Sequence, residues 1–190
     1  SVGAYRRAVE LLPKQDDAAG KLADIYLTAY AFTANKDDKR MLKEVEDLVD
    51  LMARSNPDGY HVHRLRGFLA VAKDDLPAAI EEFRKADGIR PKQPELLYAL
   101  TQVLFQNKQV AEAEQLALRL LKDSPKYPNA YVFLVGLYRS QNQLDKAETV
   151  IKQRIVALPA DAQNHLSLAA FYVSQIESGK VNPTVATVWK

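Results

Sequence analysis

Four prolines constrain this chain more than any other feature. Pro57, Pro91, Pro125 and Pro159 each stand 34 residues from the next, and Pro13 precedes Pro57 by 44, one period plus ten. Each follows an amphipathic stretch, as in VDLMARSNP, FRKADGIRP, ALRLLKDSP and KQRIVALP. Proline lacks the N–H that a further helical turn needs, so at these places it reads as a stop. A stop that returns at a fixed interval means a repeated structural unit.

With proline at position 32, units begin at Asp16, Tyr60, Pro94, Pro128 and Ala162. This gives a partial upstream repeat over 1–15, an enlarged repeat over 16–59, regular repeats over 60–93, 94–127 and 128–161, and a partial repeat with an irregular tail over 162–190. Each unit holds two helical patterns. Leu97, Leu100 and Leu104 recur at intervals of three and four, as do Ala113, Leu116, Ala117, Leu120 and Leu121. Short polar turns separate the patterns (KDD, QNKQ, QNQ), and so short a link forces antiparallel helices. Small residues recur where helices must approach closely: Ala23, Gly67, Thr101, Val135 and Ala169 at position 8, and Ala79, Ala113 and Ala147 at position 20. Ala113 and Ala147 are expected to be almost fully buried. The ten extra residues of 16–59 are read as longer helices around the turn NKDDK.

The remaining features mostly exclude. A net charge of +2 with no long one-sign block carries no nucleic-acid footprint. No run of 18 apolar residues is present, so no membrane span is expected. Cysteine is absent, which removes disulfides and thiolate chemistry and fits cytoplasm and periplasm alike. His61 and His63 stand two apart and so face different sides of a helix, which argues against a metal pair; His63 is expected to fill a large packing position. The acidic pairs Asp16–Asp17, Asp37–Asp38 and Asp74–Asp75 sit at helix starts or turns, where carboxylates cap N–H groups. No phosphate loop, nucleophile elbow or zinc helix occurs. No cofactor, no metal and no catalytic activity are therefore expected.

The pattern resembles the tetratricopeptide repeat. The unit 60–93 carries Gly67, Ala79, Phe83, Ala86 and Pro91 at consensus places, and 128–161 carries Tyr131, Leu134, Tyr138, Ala147 and Pro159. Departures are Arg66 at position 7 and Arg154, Met52 and Leu120 at position 27. The resemblance implies an all-α, right-handed superhelical solenoid of antiparallel helix pairs. It also implies a concave groove lined by the first helices, which carries over to His61, Arg64, Phe68, Tyr98, Gln102, Phe105, Phe133 and Arg139. The partner implied is a protein or peptide, held by a scaffold or adaptor. The chaperone-tail clamp and the asparagine ladder of other members are not matched here. The alternative reading is a regulatory or targeting region of a larger enzyme or sensor. Both ends look like cut repeats of a longer, bacterial protein: Tyr5, Ala8 and Pro13 fit the end of an upstream unit. Leu168, Ala169 and Tyr172 need a covering helix, for which Asn182–Lys190 is the candidate, and self-association through the open ends is a third reading.

Overall fold

The prolines stop helices, as their chemistry requires. In the computed structural model the N–H groups of Asn56, Arg90, Ser124 and Leu158 donate to the carbonyls of Met52, Ala86, Leu120 and Arg154, at 2.7–3.0 Å. Each donor is the residue just before one of the spaced prolines, so each is the last residue able to make the helical bond.

The structure describes residues 16–32, 39–161 and 163–177, with Arg7 and Val9. Among these there are nine helices and no strand: α1 (Asp16–Phe32), α2 (Arg40–Ser55), α3 (Tyr60–Ala72), α4 (Leu76–Ile89), α5 (Pro94–Gln106), α6 (Val110–Asp123), α7 (Pro128–Ser140), α8 (Leu144–Ala157) and α9 (Gln163–Glu177). Pro94 and Pro128 open α5 and α7, where a missing N–H costs nothing. Asp75 caps α4 by accepting from the Ala78 N–H at 3.1 Å. α1 and α2 run to 17 and 16 residues, against 13 for α3, and this lengthening takes up extra residues of the first repeat. Most of the NKDDK turn lies outside the described residues, as do Tyr5, Ala8, Pro13 and Asn182–Lys190.

Three turns repeat in detail. Asp74, Lys108 and Asn142, again 34 apart, adopt left-handed φ of 61°, 64° and 57°. In each, the following N–H (Asp75, Gln109, Gln143) reaches back to the carbonyl of Ala70, Leu104 or Tyr138. This closes the first helix and starts the second within three residues. Glycine would adopt that φ without strain; lysine adopts it at a cost of about 1–2 kcal/mol, aspartate and asparagine at less.

The chain divides into two units, residues 1–116 and 117–190. In the first, α3 packs on α1, α2 and α4, and α4 also packs on α5. Leu22, Ala23, Val45, Met52, Val62 and Leu65 make one buried cluster, and Ala79, Phe83, Ala86, Leu97, Leu104 and Ala113 are fully buried as well. Gly67 is required here, because a Cβ would stand 2.4 Å from the Phe83 ring. In the second unit α8 packs on α7 and α9. Its core joins Ala117, Tyr131, Leu134, Tyr138, Ala147, Val150, Ile151 and Phe171. Ala113 and Ala147 are fully buried, as their spacing predicts. Met52 and Leu120 fill with bulk the place where the repeat pattern has a small residue.

Candidate functional site

α1 and α3 lie side by side in the first unit, and their facing residues are tied by charge. Arg64 Nη1 bonds Asp24 Oδ1 at 2.6 Å, and His61 Nε2 meets Asp17 Oδ1 at 2.8 Å. Both basic side chains are nearly buried, whereas Asp17 is mostly exposed. Gly20 makes room for the imidazole: a Cβ on it would sit 2.5 Å from His61 Nδ1. Burial holds His61 below its ordinary pKa, and nearby Arg64 and Arg90 act in the same direction against the Asp17 bond. His61 is therefore neutral at pH 7, donates from Nε2, and leaves Nδ1 buried without a partner. Asp17 is held below the ordinary carboxylate range, chiefly by that hydrogen bond. Arg90 lies 4.9 Å from the Tyr60 ring centroid and 3.6 Å from Asp17, so it closes this end of the site.

Beside the ion pairs the surface turns apolar. A pocket of about 520 Å³ is lined by Leu27, Tyr30, Ala31, Phe68 and Val71, with Asp24, Arg64 and Glu95 at its edge. Phe68 is fixed edge-on against the buried Phe83, with ring centroids 5.0 Å apart, and the Arg64 guanidinium lies 5.9 Å from its centroid. An ion pair beside apolar walls can orient an entering side chain while the walls desolvate it.

The structure gathers three of the sequence-predicted site residues here: His61, Arg64 and Phe68. Tyr98, Gln102 and Phe105 follow one another along one face of α5, Tyr98 half-buried and the other two exposed. The Gln102 amide lies 3.3 Å from the Tyr98 hydroxyl. In the second unit Phe133 is half-buried against the core, whereas Arg139 is exposed at a separate pocket. His63 fills a buried position and bonds Glu82 at 2.8 Å, so the two histidines do serve different faces. Among the described residues no cluster of His, Cys, Asp or Glu could hold a metal ion. No helix among them is long and apolar enough to cross a membrane.

Asp17, Asp24 and Leu27 of α1 are absent from the sequence-derived site although the same reading could have found them. They occupy positions 2, 9 and 12 of the enlarged repeat, equivalent to His61, Phe68 and Val71 in the next.

Residues 70–124 match the tetratricopeptide repeat family. No curated protein sequence matches the chain significantly. Its fold is similar to that of solved tetratricopeptide-repeat structures. A thermophilic TPR protein of Thermus thermophilus superimposes with a TM-score of 0.68 at 17% identity, over 90% of this chain and 89% of that one. MamA gives 0.63 at 15% identity, over 85% and 89%. YrrB, described as a TPR protein with an unusual peptide-binding site, gives 0.59 at 17% identity, over 89% and 81%. The family match thus covers the centre of the chain, and the described helices share the fold of solved tetratricopeptide-repeat structures.

Proposed function

We propose that this chain is a non-catalytic binding scaffold that holds a segment of a partner protein on its first helices. The observation that carries the reading is the apolar pocket over α1 and α3, with its edge of ordered charges. A partner's apolar side chain placed between Leu27, Phe68 and Val71 loses its water. The Asp24–Arg64 pair and Glu95 then remain at the rim to meet polar groups beside it. Tyr98, Gln102 and Phe105 continue the surface along α5, where aromatic faces and an amide suit an extended backbone. Tetratricopeptide-repeat proteins bind protein or peptide partners, and the peptide-binding site of YrrB on the same fold supports the reading.

The test is selection of a peptide ligand on the whole chain, followed by calorimetric titration of the double variant Tyr98→Ala, Phe105→Ala. As central aromatic anchors the pair should weaken binding by about 2 kcal/mol or more. Undiminished affinity would remove α5 from the binding surface.

A further inference from the structure

The second unit holds a pocket of different chemistry. It encloses about 360 Å³ between α7, α8 and α9, with Val132, Val135, Ile151 and Phe171 among its walls. Its charged lining residues are Arg139 and Arg154, and no carboxylate lines it among the described residues. Arg139 is exposed and has no ionic partner among the described residues. Arg154 stands where the preceding repeats have Met52, Ala86 and Leu120, so a guanidinium replaces an ordinary packing residue. Its Nη2 bonds Asp161 at 2.8 Å, but its Nε is buried with no acceptor. Asp161 thus offsets only one of the two guanidinium groups, which leaves the pocket net positive among the described residues.

Gly136 adds an independent sign. It lies within α7, where glycine is less stable than alanine. A Cβ built on it meets nothing within 4 Å, so no neighbour in the chain requires the glycine. Gly136 lines the pocket, and its missing side chain leaves that space unfilled.

We infer that this pocket takes the side-chain carboxylate of a Glu or Asp within a partner segment, together with an adjacent apolar side chain. The inference rests on the scaffold reading and gives its ligand a chemistry. Arginine forks pair carboxylates in two-point fashion, and apolar walls strengthen the pairing by excluding water. Among the described residues the pocket's lining holds no Asn or Gln.

The experiment is selection of a displayed random twelve-residue peptide library on the whole chain, on Gly136→Leu and on Arg139→Gln. Leucine at 136 fills open space on a helix, so Gly136→Leu should melt no lower than the parent while closing the pocket. Peptides retained by the parent should be enriched in Glu or Asp beside an apolar residue. Gly136→Leu should lose that enrichment and Arg139→Gln should reduce it. A retained peptide should bind roughly tenfold better than its Glu→Gln isostere, and less so in high salt. Retained peptides without acidic enrichment, or enrichment that persists in Gly136→Leu, would overturn the inference. If such peptides still depend on Tyr98 and Phe105, the scaffold reading stands alone. A parent chain that retains no peptide would overturn both.

Discussion

Replacing Gly67 by alanine sets two opposed effects of known size against each other. Alanine is the better helix former by about 0.8–1.0 kcal/mol, so on propensity alone α3 should gain. The added methyl, however, would lie 2.4 Å from two ring carbons of Phe83, against about 3.5–4.0 Å for carbon atoms at rest. Phe83 has no exposed surface and its ring abuts Phe68, so it cannot swing aside as a flexible chain end would. The separation must come from moving α3 and α4 apart, and such overpacking costs about 1–3 kcal/mol. The net expectation is a loss of up to about 2 kcal/mol. Gly136→Ala is the matched control: the same exchange within a helix, with nothing near the new methyl, should stabilise by about 0.5–1 kcal/mol. Urea denaturation followed by far-ultraviolet circular dichroism gives both midpoints. If Gly67→Ala were as stable as Gly136→Ala, the close helix crossing at Gly67 would be wrong.

Three further outcomes follow from the same geometry. Ala113→Leu should cost about 1–3 kcal/mol, because Ala113 is fully buried; an unchanged melt would place it at the surface. Lys108→Gly should raise stability by up to about 1 kcal/mol by relieving its left-handed φ, and Asn142→Gly by less, since asparagine tolerates that region; equal effects would contradict the turn geometry. For pH, burial lowers the His61 pKa in the folded chain, so the unfolded chain takes up its proton first. The stability that neutral His61 contributes is present above about pH 6.5 and is lost as pH falls below it. The urea midpoint should therefore drop between pH 7.5 and 5, and His61→Gln should flatten that slope; an equal slope in the variant would exclude His61 as its source.

Much of the fold was legible because each proline removes a hydrogen-bond donor, and that chemistry acts locally. The same holds for Ala113 and Ala147, whose small size matters only at a close crossing. The left-handed turns at Asp74, Lys108 and Asn142 were legible as turns but not as a conformation, since none carries the expected glycine. The site was harder to read. The pairs Asp17–His61 and Asp24–Arg64 join residues 44 and 40 apart, and nothing in the spacing states that those side chains meet. Arg154 reads as a departure from the repeat, and nothing in the spacing says that it lines the second pocket. Phe133, carried over as a groove residue, turns out to be half-buried against the core.

The central claim is that partner segments lie on the first helices, and amide shift mapping tests it most directly. An isotope-labelled whole chain is titrated with a selected peptide, and perturbed N–H signals are assigned. The account predicts changes concentrated on α1, α3, α5 and α7, including Arg64, Phe68 and Phe105. Changes concentrated on the second helices, α2, α4 and α6, would contradict it.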